Sequence, residues 1–192
     1  MNDRQSSLNF LTHNELKALL NKAKQKDFRT YAMLLLAYRH GLRNSEICNT
    51  TIENLDLDAQ NIRCVRGKGS ICNWQSLADD EVKVLRTWFR KRPKSDSKFV
   101  FISRNGTPVS RSQFFRTFQT IAKSVGLADE KCHPHILKHS LGTHLANAGV
   151  APQVIQQRLG HRNIQNTMIY LTISNGYVDR AFGSALANGA VV

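Results

Sequence analysis

Hydrophobic and polar positions follow a helical period along most of this chain. In LTHNELKALLNKAKQ, which begins at Leu11, the residues Leu16, Leu19 and Leu20 share one face of an otherwise polar segment, and Thr12 stands three residues before Glu15 in the spacing of a capping box. FRTYAMLLLAYRHGLRNSEIC follows. It is more apolar, which predicts a more buried helix, and it stops at Gly41, a residue suited to the left-handed position after a helix; Arg43 comes just beyond the stop. Between Asn54 and Leu77 the pattern changes to the short runs NIRCVRG and ICNWQSL, broken by Gly67 and Gly69, which predicts a small antiparallel hairpin with Lys68 at its tip. DDEVKVLRTWFRKRPK has acid at its start and base at its end, in keeping with a helix dipole, and Pro93 ends it.

KFVFISRNGTP reads as a brief strand and turn, and Ser110 is placed to cap a helix over RSQFFRTFQTIAKSVG. Pro134 falls in the first turn of a helix over HPHILKHSLGTHLANAG. Two short helices are expected over 151–159 and 163–173, and the tail from Gly176 to Val192 is weakly amphipathic and rich in small residues. The expected class is mainly α with a small antiparallel sheet, in one domain.

Composition narrows the chemistry. The 192 residues suffice for one domain with a sizeable core, and 27 Lys and Arg against 14 Asp and Glu give a formal charge of +13. That excess points to a polyanion: nucleic acid first, an anionic membrane surface second. No apolar run approaches the roughly 20 residues that span a bilayer, and MNDRQSSLNF lacks a signal-peptide core, so the expected location is the cytoplasm. Cys48, Cys64, Cys72 and Cys132 form no C-x-x-C pair, which argues for reduced, mostly structural thiols rather than a zinc knuckle or redox motif.

The histidine-rich segment raises three possibilities. His135 and His139 are four apart and would share a helix face, as metal ligands can, yet the zinc-protease pattern needs a Glu directly after the first His, where Ile136 stands. Histidines satisfied in a core are the second possibility. The third takes in more of the chain: RLGHRN contains His161, NTMIYLT offers Tyr170 nine residues later, and Arg43 and Lys68 occupy earlier turns. Arg, Lys and His donors stabilise the charge that gathers on a phosphodiester under attack, and a tyrosine hydroxyl can be the attacking nucleophile.

HGLRNSEIC, RGKGS, HPHILKHSLGTHLANAG, IQQRLGHRN and TMIYLT, in that order and spacing from about residue 10 to 173, resemble the catalytic domain of the tyrosine recombinases, the phage-integrase and Xer-type family. The short length and the opening LNFLTHNEL are most similar to the fimbrial phase-variation recombinases, which lack a separate N-terminal core-binding domain. The resemblance implies a mainly α fold with a three-stranded antiparallel sheet. It also implies site-specific cleavage and rejoining of double-stranded DNA through a 3′-phosphotyrosyl bond, without metal or nucleotide cofactor, by a homotetramer on two paired sites. By the same resemblance Arg43 and Lys138 would hold the scissile phosphate, His135 and His161 would hydrogen-bond it or move protons, Lys68 would protonate the leaving 5′ oxygen, and Tyr170 would attack. Residues 1–9 would be an arm, 10–175 the catalytic domain, and 176–192 a tail that docks on a neighbouring protomer.

One departure from the family pattern matters. The usual His-x-x-Arg is here His135-Ile136-Leu137-Lys138, which keeps the charge and loses the two-pronged fork. Weakened chemistry is the expectation, with a DNA-binding regulator of the same fold as the alternative and a histidine-metal hydrolase a distant third. For DNA contacts outside the site, basic residues near predicted element ends are the candidates: Arg111 first, just inside a helix N-terminus, then Arg104, Arg90 and Arg92, with Arg86 and Lys91 nearby.

Overall fold

Thr12 caps α1 (His13–Lys26) as its sequence spacing predicts: the hydroxyl accepts from the Glu15 N–H, and the Glu15 carboxylate accepts from the Thr12 N–H. The computed structural model describes residues 9–67, 69–173 and 177–188. Asp27 caps the next helix, α2 (Phe28–Arg39), most of whose residues are buried, so it runs through the middle of the fold. Gly41, at φ 58°, turns the chain out of α2, and Arg43 then opens the short α3 (Asn44–Cys48).

Three antiparallel strands follow, β1 (Leu55–Asp56), β2 (Asn61–Cys64) and β3 (Asn73–Ser76), in that spatial order. The expected hairpin is β2–β3, with Ile62 facing Gln75 and Cys64 facing Asn73. Lys68, expected at its tip, lies outside the described residues. The helical part continues with α4 (Asp79–Lys91), α5 (Arg111–Ser124), α6 (His135–Asn147), α7 (Pro152–Leu159), α8 (Gln165–Ile173) and α9 (Tyr177–Ala187). The mainly α fold with a three-stranded antiparallel sheet is therefore borne out, and so are both short helices before the tail.

The strand expected in KFVFISRNGTP does not form. Only isolated bridges occur there, Thr51 with Phe99 and Ile102 with Pro108, and Val100, Phe101 and Ile102 are buried in succession instead of alternating. Side chains take the carbonyls a ladder would need. Arg92 donates to the Ser97, Phe99 and Val100 oxygens, and Trp88 Nε1 also donates to Val100. Arg92, a candidate for DNA contact, thus has its guanidinium hydrogen-bonded to the carbonyls of this loop.

Two apolar clusters organise the interior. The larger joins α1, α2, α4 and α5 to β2 and the start of α6; the smaller holds Leu141, Ala146, Ile155, Leu159 and Tyr170, where α6, α7 and α8 meet. Tyr170 thus belongs to a satellite of the main core. Cys48, Cys64 and Cys132 are buried, Cys72 is exposed, and all four are free thiols, with burial pushing Cys48 up to about 12 and Cys64 to about 11. Among the described residues no helix is long and apolar enough to cross a membrane.

Candidate active site

The site begins at the α2–α3 turn. Arg43, immediately ahead of α3, has its backbone N–H and its Nη1 on the two carboxylate oxygens of Glu46, at 2.9 and 2.8 Å, and Nη1 also donates to Ser70 Oγ at 2.9 Å. The Glu46 side chain is buried, 3% exposed, while the Arg43 side chain stays 37% exposed, its Nε and Nη2 making no hydrogen bond to the described residues. Burial alone would raise the Glu46 carboxyl, but the Arg43 backbone hydrogen bond and the Arg66 charge outweigh it and hold the group ionised. Arg66, its side chain fully buried, donates to Glu46 Oε2 at 3.1 Å, the oxygen that also accepts from the Arg43 N–H. Neither Glu46 nor Arg66 stood out in the sequence; an acidic residue three after Arg43 was the available signal for the first.

The α6 helix contributes the next group, because residues three and four apart share a face. His135 and His139 meet edge to face at 4.4 Å between ring centroids. Lys138 points inward and is 1% exposed, its Nζ donating to the Leu159 carbonyl at 2.6 Å. Burial, followed by the Arg66 and Arg43 charges, lowers this ammonium to about 7. His135 opens onto the surface, and desolvation by the surrounding protein together with the Lys138 and Arg43 charges lowers its basicity. His139 and His161 fall to about 4, through burial first and then neighbouring His135 or Lys138, so both are neutral at physiological pH. Among the described residues no group of three His, Cys, Asp or Glu could hold a metal ion.

The third segment is the α7–α8 turn. Gly160, at φ 67°, ends α7, and His161 beyond it bridges to Ser70 of the hairpin loop while its Nδ1 pairs with Thr167 Oγ1 at 3.0 Å. The His161 ring lies parallel to that of Tyr170, centroids 6.3 Å apart. Tyr170 is 1% exposed, and its hydroxyl is 3.2 Å from His139 Nδ1. Gly142 makes that seat possible, since a Cβ there would stand 2.6 Å from the tyrosine ring. Burial pushes the phenol up to about 12, with Arg43 opposing, so the hydroxyl needs a base before it can attack. His139, given no secure role from sequence, is the neutral imidazole within reach of it.

Gly160 carries a testable consequence. Alanine there would hold an unfavourable left-handed conformation and set its Cβ 2.8 Å from Arg66 Nε and 2.9 Å from the Ile71 carbonyl oxygen. We expect Gly160→Ala to cost at least about 1–2 kcal/mol and to lower the melting temperature by about 2–8 °C. An unchanged thermal transition would mean that the turn yields freely.

Outside this cluster the expected DNA contacts divide. Arg111, expected to meet DNA outside the site, lines an open cleft of about 470 Å³ together with Arg43, Phe115, Arg116 and His135. Arg116 was not anticipated, although it lies just over one turn after Arg111. Arg90 and Arg104 are exposed but do not line this cleft, and Arg86 is paired with Asp58. His144 is structural: its Nε2 donates to the Leu11 carbonyl and its Nδ1 pairs with the Tyr38 hydroxyl, both at 2.8 Å.

Comparison with known proteins places this arrangement. The family model described as "Phage integrase family" matches residues 9–176. The type 1 fimbriae regulatory protein FimB of Escherichia coli K12 is 42% identical over 185 residues, which covers 91% of this chain and 92% of that protein. The corresponding FimE is 34% identical over 176 residues, 88% of each. Among solved structures, the XerA recombinase superposes with a TM-score of 0.79 at 25% identity over 95% of this chain, which spans 65% of the XerA chain. The chain belongs to the phage integrase family of tyrosine recombinases.

Proposed function

We propose that this protein cleaves and rejoins duplex DNA at specific sites through a 3′-phosphotyrosyl intermediate, and that the product is inversion of a short segment governing fimbrial expression. The observation that carries the reading is the gathering of five groups from the α2–α3 turn, α6, the α7–α8 turn and α8: Arg43 and His135 line a basic cleft, and Lys138, His161 and Tyr170 are buried beside them. In this scheme Arg43 and protonated Lys138 hold the non-bridging oxygens, with His135 and His161 as further hydrogen-bonding groups. Tyr170 Oη forms the bond to phosphorus and gives its proton to neutral His139. The bond to the 5′ oxygen breaks, and Lys68 supplies the proton to the leaving alkoxide. Tyr170 must first leave its buried seat, which its membership of the small satellite cluster makes easier than extraction from the main core.

The regulatory names of FimB and FimE support the phase-variation part of the proposal. Residues 10–175 would be the catalytic unit, with 1–9 an arm and 176–192 docking on a neighbouring protomer in a tetramer on two paired sites in the cytoplasm. A second reading, a DNA-binding regulator with weakened catalysis, is favoured by Lys138 being turned onto the Leu159 carbonyl and lacking the arginine fork.

The test uses nicked duplexes tiled across the inverted repeats nearest the gene. A denaturant-resistant protein–DNA adduct that forms in EDTA supports recombination; specific binding without an adduct supports the regulator. Binding in either case should fall steeply with salt, by about 10³- to 10⁵-fold between 50 and 200 mM if six to ten phosphates are contacted. A flat salt response would remove both readings.

A further inference from the structure

Arg66 joins three segments that carry candidate catalytic groups. Its Nη1 donates to the Gly41 carbonyl at 2.7 Å and to Glu46 Oε2 at 3.1 Å, and its Nη2 donates to the carbonyls of His40 at 2.8 Å and Arg158 at 2.9 Å. The first two acceptors and the His40 carbonyl flank the turn that presents Arg43. The Arg158 carbonyl lies in the last turn of α7, three residues before His161. Arg66 itself leaves β2 two residues before Lys68. The main chain reinforces the same junction, with Gly67 N–H on Glu46 Oε1 at 3.3 Å and Ile71 N–H on the Gly160 carbonyl at 3.0 Å.

A fully buried guanidinium is costly unless its donors are met, and here the terminal nitrogens are met while Nε has no acceptor among the described residues. A fork of this width cannot be reproduced by lysine, whose single ammonium would reach only part of the acceptor set. Nor does the residue open onto the cleft, its side chain being fully buried.

We propose that Arg66 is a positioning residue for DNA cleavage, fixing the turns that bear Arg43 and His161 against the end of β2, so that one scissile phosphate can meet both. The inference rests on the recombinase reading above. Misplacement of reacting groups by about 1 Å is enough to cost on the order of 10²-fold in rate, and the turns that Arg66 joins are those that present Arg43 and His161.

Arg66 also faces Lys138, together with Arg43, Glu46 and Cys64, and its positive charge helps to lower the Lys138 ammonium. This supplies a readout that general loss of stability would not move. Arg66→Met and Arg66→Lys should both keep DNA affinity within about threefold and lower the single-turnover adduct rate on the nicked duplex by about 10²-fold. Removing the charge in Arg66→Met should carry the high-pH decline in rate to higher pH, because Lys138 then keeps its proton longer; Arg66→Lys should leave the decline in place. If Arg66→Met does not fold, Arg66→Lys carries the test through its rate alone, with the folded fraction fixed by circular dichroism. Rates that fall only in step with folded fraction, or that stay unchanged, overturn the inference. An absence of adduct with the unaltered protein is a different result and overturns the recombinase reading instead.

Discussion

Replacing Tyr170 with Phe is expected to abolish the covalent DNA adduct, by at least about 10⁴-fold in rate, while leaving fold and DNA affinity nearly intact. The substitution removes one oxygen and no carbon. The ring remains available to fill the satellite cluster with Leu141, Ala146, Ile155 and Leu159, so the packing that seats α8 persists. What is lost is the hydroxyl 3.2 Å from His139 Nδ1, the atom that would form the bond to phosphorus. Loss of that one hydrogen bond costs about 1 kcal/mol in stability. The measurement is adduct formation on denaturing gels beside a binding titration with the same nicked duplex. An adduct that survived in Tyr170→Phe would move the nucleophile to another tyrosine and end the mechanism proposed for this cluster.

Lys138→Arg is expected to change the pH dependence of cleavage as well as its rate. In the free protein the Lys138 ammonium is lowered to about 7 by burial and by the Arg66 and Arg43 charges, with Glu46 and Cys64 acting the other way. A cation lowered in this way carries its full charge only below that value. At subsaturating DNA, cleavage should therefore be level below about pH 7 and fall towards tenfold per pH unit above it. Bound phosphodiester favours the charged form, so saturating DNA moves the decline upward.

His139 and His161, at about 4, are already neutral throughout this range and cannot produce that limb. Arginine keeps its charge, so Lys138→Arg should be level from pH 7 to 9 and faster by up to about 10²- to 10³-fold where the fork reaches two phosphate oxygens. A decline that persisted unchanged in Lys138→Arg would assign the titration to another group. No gain in rate, with the pH dependence removed, would mean that charge alone and not fork geometry limits this site.

Much of this molecule was legible in the chain because the signals are local. The capping box of Thr12 and Glu15, the stop at Gly41 and the acidic start of α4 each lie within a few residues of the structure they specify. The five motifs in order sufficed to identify the family and to nominate Arg43, Lys138, His135, His161 and Tyr170, which the fold does gather. The segment around Val100 was misread because its β-like composition reflects burial, while its carbonyls are claimed by Arg92 and Trp88.

The sequence by itself determined the order of elements, the net positive charge and the inventory of candidate groups, since these depend on residue type and short spacing. Only the tertiary structure decided how those groups act on one another. Arg66 reaches acceptors up to 92 residues away, and Tyr170 meets His139 across 31. Lys138 acquires its lowered basicity from being enclosed by α7 and two arginines. Burial and charge proximity are properties of the folded chain, and no periodicity within a segment encodes which distant side chain will stand beside it.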